Sequence, residues 1–210
     1  MLPKLKEPWY NDLVFINCPF DNDYQPLFRA IIYTVYFCGF YPTSAMAEDN
    51  AMDNRIDKLV RIIAKSKFGI HDISRTEPDA VNNLPRFNMP FELGLFYGAR
   101  KYGLEKQKNK NALIFEKTKY LYQKYLSDIN GVDTRAHNNK PETAVRHVRT
   151  WLQTASGRKK IPGEQTIIHH YNDFLLHLPA AAKDAGFGDP DTIPFNDYCQ
   201  IVEEAIRLVM

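Results

Sequence analysis

The chain has three cysteines in 210 residues, a formal net charge of only +2, and no apolar run long enough to span a bilayer. Cys18, Cys38 and Cys199 are odd in number and far apart. They form neither a disulfide framework nor a metal-ligand spacing, so a reducing cytoplasm is the expected setting. The small net charge gives no ground for expecting nucleic acid or a membrane surface as partner. Met1-Leu2-Pro3-Lys4-Leu5-Lys6-Glu7 has no apolar core of signal-peptide length. Glycine is absent from the loop Asn17 to Asp23, which excludes a dinucleotide fingerprint or a P-loop there. No internal repeat or low-complexity segment interrupts the chain.

What is present describes a filled globular fold. Hydrophobic residues make up 44% of the chain and aromatics 13%, too much apolar surface for a disordered or fibrous sequence. Leu13 to Asn17 is a short β-forming run closed by Cys18-Pro19-Phe20-Asp21. Tyr24 to Cys38 follows with helical spacing, and Gly39 ends it. Phe40 to Ala45 reads as a weaker strand. Asp53 is placed to cap a helix to about Ser66, with Ile56, Leu59, Val60 and Ile63 on its buried stripe. Phe68 to Ser74 reads as a buried strand, and a long polar loop leads to a helix near Phe87. Asn111 to Glu116 supplies a further strand. This alternation predicts a flavodoxin-like α/β fold, a parallel sheet of about four to five strands with helices on both faces. Residues 1–117 read as that core. Residues 118–210 read as a helical extension packed on it, with helices from Pro141 to about Thr154, Gln165 to Ala185 and Asn196 to Val209.

The run Pro85 to Gly94 carries the strongest chemical signal. Glu92 stands among Phe87, Met89, Phe91, Leu93 and Leu95 where a helix begins, and a carboxylate in apolar company is costly unless paired or used. A helix-dipole role would by itself explain a Glu in a first turn. Pro90 suits a helix start beside a tight loop, and Gly94 removes bulk so that a ligand or another backbone can come close. Asp72 closes the strand before that helix. The two carboxylates together suggest a site at the carboxyl ends of the strands, with Asp72 accepting from a vicinal ribose diol. His71 lies on the other face of its strand and reads as a core histidine. Further binding candidates are Asn17, Pro19 and Phe20 in the first loop, with Phe20 either stacking on a ring or packing. Asp49 and Arg55 lie on the same rim, Arg55 serving a ligand or the acidic loop. Ser74 and Arg75 follow Asp72, and Asn88 and Met89 open the Glu92 helix. His169, His170 and His177 lack a completing carboxylate, so no metal is expected.

The strands Val14 to Asn17 and His71 to Ser74, with Asn88-Met89-Pro90-Phe91-Glu92-Leu93-Gly94, resemble the superfamily of TIR-like domains and nucleoside 2-deoxyribosyltransferases. The resemblance covers about residues 12 to 117. It implies that Glu92 supports cleavage of an N-glycosidic bond, with NAD⁺ as substrate and no separate cofactor. In that reaction Asp72, the second carboxylate of the pair, is the expected catalytic partner that orients the ribose. It further implies a homo-oligomer and, by analogy with bacterial TIR-like enzymes, a part in antiphage defence through an effector that responds to the product. A nucleoside or nucleoside-monophosphate hydrolase or transferase is the enzymatic alternative. A nucleotide-sensing or assembly module without turnover is the other.

Overall fold

The computed structural model describes residues 9–75, 78 and 83–210. Met1 to Glu7, and much of the polar loop expected before Phe87, lie outside the described residues. Five strands, β1 Leu13–Asn17, β2 Tyr41–Thr43, β3 Phe68–Asp72, β4 Asn111–Glu116 and β5 Arg135–Ala136, form one parallel sheet in the order β2-β1-β3-β4-β5. Six α-helices accompany them among the described residues: α1 Gln25–Phe37, α2 Arg55–Lys65, α3 Asn88–Tyr102, α4 Pro141–Ser156, α5 Glu164–Asp184 and α6 Phe195–Arg207. The expected flavodoxin-like α/β class is therefore the observed one. Its strand order reverses between β1 and β3, and the crevice beyond the carboxyl ends of those two strands is where such sheets bind ligands.

Strand parity decides which side of the sheet each residue serves. Val14 and Ile16 of β1, Phe68 and Ile70 of β3, and Leu113 and Phe115 of β4 join the apolar cluster under α1 and α4. Phe15 faces the other way, onto Leu59, Ile62 and Ile63 of α2 and Phe96 of α3. Ile73 and Ile114 also face that side, against Leu93. Asn17 and Phe15 share one parity of β1, and Asn17 stands opposite His71 in the β1–β3 register. Asp72 has the opposite parity.

The sheet continues past residue 117, because β5 pairs with the end of β4. α4 packs on α1, and α5 and α6 close over α1 from outside. Their buried side chains, among them Val148, Leu152, Phe174 and Val202, belong to the same apolar cluster as the strands. This explains why α1 is buried on nearly every side, from Leu27 to Phe37.

Two local expectations need correction. Asn54, not Asp53, caps α2, its side chain accepting from the Ile56 N–H, while Asp53 pairs with Arg61. The buried stripe of α2 is Leu59, Ile62 and Ile63, and Ile56 and Val60 are exposed. Both differences follow from a helix that starts at Arg55 and lies on Phe15 and Phe96 rather than under a further layer.

Candidate active site

A pocket of about 240 Å³ opens at the switch point, lined by Asn17, Cys18, Pro19, Phe20 and Asp21 from the β1–α1 loop, by Arg55, and by Arg86, Asn88, Met89 and Glu92. Seven of the eleven residues singled out from sequence therefore meet in one place: Asn17, Pro19, Phe20, Arg55, Asn88, Met89 and Glu92. Glu92 is 5% exposed. Among the described residues its one close cation is Arg55, whose Nη2 lies 3.4 Å from Oε1 and whose side chain is mostly in solvent. Burial raises the Glu92 carboxyl above its ordinary range, and the Arg55 charge and hydrogen bond offset this only in part. Gly94 faces open space, with no other backbone within 4 Å of where its Cβ would lie.

Asp72 is not in this pocket. Its parity turns it to the α1–α4 side, where it is fully buried. Its Oδ2 accepts from the Tyr24 hydroxyl at 2.6 Å and lies 3.1 Å from His137 Nε2, and its Oδ1 accepts from the Ser74 N–H at 2.8 Å. The Asn139 N–H donates to His137 Nδ1 at 2.9 Å, so Nε2 carries the proton that faces Asp72, although that N–H is bent off the direct line. Burial pushes the Asp72 carboxyl up, but the His137 contact and the Ser74 and Tyr24 hydrogen bonds outweigh it, leaving the group below its ordinary value. A carboxylate with both oxygens engaged and no exposure has nothing left for a ribose diol. Asp72 instead ties the end of β3 to the start of α1 and to the segment after β5. The expectation that Asp72 works beside Glu92 is corrected accordingly, because the two stand on opposite faces of the sheet.

Asn17, not Asp72, is the strand-end side chain that lines the pocket, and His71 lies behind it. Asn17 Nδ2 donates to the Met89 carbonyl at 2.9 Å and lies 3.1 Å from His71 Nδ1. A carbonyl oxygen can only accept, so the carboxamide orientation is settled, and His71 Nδ1 must be the acceptor of the second bond. His71 is fully buried, its Nε2 has no partner among the described residues, and its ring lies edge-on to Phe96 at 4.9 Å. Burial, reinforced by the nearby Lys110 charge, lowers its pKa to about 3, so the ring is neutral wherever the fold is used.

The remaining candidates are placed as follows. Phe20 is 44% exposed, packs T-shaped against Phe28 and lines the pocket. Arg75 pairs with Asp21 at 2.7 Å outside the lining, and Ser74 is buried on Asp72. Asp49 is exposed in the loop after β2 and does not line the pocket. Asp21 and Arg86 were not singled out by sequence reasoning. Asp21 accepts from Arg75, from Arg86 and from the Tyr24 N–H, joining the β1–α1 loop to the approach to α3. The polar loop residues gave no spacing from which that bridge could be inferred.

A larger groove of about 720 Å³ lies between α5 and α6 over Tyr33. Asp173, Asp184 and Glu204 line it, but no strand end and no arginine or lysine does so among the described residues. The smaller pocket, where a perturbed carboxylate meets the switch point, is therefore the candidate site. Among the described residues no three His, Cys, Asp or Glu side chains converge as a metal site. No helix among them is long and apolar enough to cross a membrane. Compared with protein-family models, with curated proteins and with solved structures, the chain matches none.

Proposed function

We propose that the chain cleaves the N-glycosidic bond of a nucleotide, with NAD⁺ as the leading substrate and nicotinamide as the leaving group. The observation that carries this reading is Glu92: a buried, weakly paired carboxylate, raised in pKa, facing a pocket at the switch point. As the C1′–N bond breaks, its electron pair leaves with nicotinamide and positive charge develops on the ribose. Glu92 stabilises that charge or bonds to C1′, and water then adds at C1′ and releases its proton, giving ADP-ribose. An internal nucleophile in place of water gives a cyclic product. Arg55 and Arg86 stand at the rim to meet phosphate, and the half-exposed ring of Phe20 is offered to a base. The resemblance to TIR-like enzymes supports this reading and extends the proposal to a cytoplasmic homo-oligomer acting in antiphage defence.

The pocket volume favours a second reading. Sites for drug-sized ligands commonly run to about 300–1,000 Å³, and this one encloses about 240 Å³. A nucleoside monophosphate would lie largely inside it, whereas a dinucleotide would extend over the arginine rim. Incubating the protein with NAD⁺, nicotinamide mononucleotide, and a panel of nucleosides and nucleotides, read by mass, tests both readings. Release of a free base supports glycosidic cleavage and identifies its substrate. An unchanged panel at high enzyme concentration contradicts it and leaves a binding module.

A further inference from the structure

We infer that Asn17 presents a fixed hydrogen-bond acceptor to a ribose hydroxyl, so that the pocket selects ribonucleotides over their 2′-deoxy counterparts. The inference rests on the glycosidic reading above. Asn17 is the last residue of β1, is 3% exposed, and lines the pocket. Its carboxamide has no rotational choice. The Met89 carbonyl takes one amide hydrogen at 2.9 Å and His71 Nδ1 takes the other at 3.1 Å. Turning the amide over would set Oδ1 against two acceptors, losing both bonds and adding repulsion. Oδ1 is therefore held away from Met89 and His71, and among the described residues no donor reaches it. A carbonyl oxygen left in this way on a pocket-lining residue takes either water or a ligand donor.

The spacing to Glu92 identifies that donor. Asn17 is bonded to the backbone of Met89, and Met89 stands three residues before Glu92 in α3, on the same face and one turn away. In the inferred pose C1′ of the furanose meets the Glu92 carboxylate and its hydroxyl-bearing edge is turned towards Met89 and Asn17, which line the same pocket. The 2′-hydroxyl is bonded to the carbon next to C1′ and so is the nearest donor. Phosphate oxygens are acceptors, which Oδ1 repels, and they have Arg55 and Arg86 at the rim instead. The pocket thus separates its tasks, with donors of the sugar read at the floor and anionic groups at the mouth. His71 contributes as a positioning residue, because only a neutral imidazole with a bare Nδ1 can hold the amide this way round.

Calorimetry on Glu92→Gln protein, with NAD⁺ and 2′-deoxy-NAD⁺ as probes, tests the inference without the greater intrinsic lability of deoxyglycosides. With Asn17 intact, the ribose form should bind about tenfold more tightly or better, the worth of one buried hydrogen bond. Adding Asn17→Ala or Asn17→Ser should reduce that ratio towards one. The ratio is internal to each protein, so partial loss of folded material does not affect it. Equal affinity for the two probes with Asn17 present overturns the inference while leaving glycosidic cleavage standing. A ratio that survives in both Asn17 variants also overturns it. Binding of neither probe, with no base released from any compound by the wild-type protein, overturns this inference and the functional reading together.

Discussion

Ionised Glu92 is held beside Met89 and Leu93 with one loose ion pair, whereas ionised Asp72 is held by a hydroxyl, a histidine and a backbone N–H. The pH dependences of the two groups therefore have opposite signs. The folded-state pKa of Glu92 is raised, so the folded protein binds the proton more tightly than the unfolded chain. Stability falls as pH rises from the ordinary value of 4.5 through the raised one. Glu92→Gln should therefore melt at the wild-type temperature or above it at pH 7, with the difference shrinking as pH falls below 4.5; a lower melting temperature at pH 7 would contradict the assigned burial cost. The proposed reaction needs the ionised form, so the acid limb of its pH–rate profile should lie above the ordinary carboxylate value. Arg55→Ala should move that limb to still higher pH, since Arg55 is what lowers the Glu92 pKa. Asp72 behaves in the opposite way: its stabilisation is present above its unfolded value of 3.8 and is lost as pH falls through its depressed folded value. Asp72→Asn should cost about 1–3 kcal/mol at pH 7, because the Tyr24 hydroxyl, the Ser74 N–H and His137 then lose a buried carboxylate partner. Urea unfolding measures this, and an unchanged midpoint would show that the network does not hold the fold.

Helices and strands explain which parts of the site were legible in the sequence. Glu92 was legible because a carboxylate in an apolar helix start is conspicuous without tertiary information. Its pairing with Asp72 was not, because chain proximity conceals strand parity. Asp72 shares the face of Phe68 and Ile70, and α3 covers the other face. The same parity rule, applied one residue back, points to His71 and, across the register, to Asn17. The α2 stripe was misread by assuming four buried positions for a helix that covers only the Phe15 side of the sheet. β5 is two residues long and offers no periodicity to detect. The end of α2 gives a further prediction. Lys110 is 2% exposed, and its Nζ donates to the Ile63 carbonyl at 2.6 Å and to the Ser66 carbonyl. Burial, with a contribution from Lys106, lowers its pKa to about 7. Between that value and the ordinary 10.5 the unfolded chain binds more protons, so wild-type stability should rise with pH over this window. Lys110→Met should flatten the rise and cost about 1–3 kcal/mol through the two carbonyls left unbonded. Denaturant midpoints at pH 7 and 9 for both proteins check this.

The flavodoxin-like architecture was legible as a whole because each strand–helix alternation in the first half carries its own apolar pattern. How residues 118–210 join it was less so, since His137, β5 and α4 act through contacts distant in sequence. His137 reaches Asp72, β5 extends the sheet, and α4 packs on α1. A fragment ending at Lys117 would expose Ile31, Val35 and Leu113, which are now buried in the shared cluster. It should be insoluble or inactive, and a soluble, fully active fragment would mean that the C-terminal segment is dispensable to the site. The central claim concerns one carboxylate. Its most direct test is the rate of nicotinamide release from NAD⁺ by wild-type protein and by Glu92→Gln, each shown by calorimetry to bind the substrate. The variant is expected to keep its affinity and lose at least about a hundredfold in turnover, because an isosteric amide supplies no charge to the developing cation. Turnover near the wild-type rate in the variant would contradict the account.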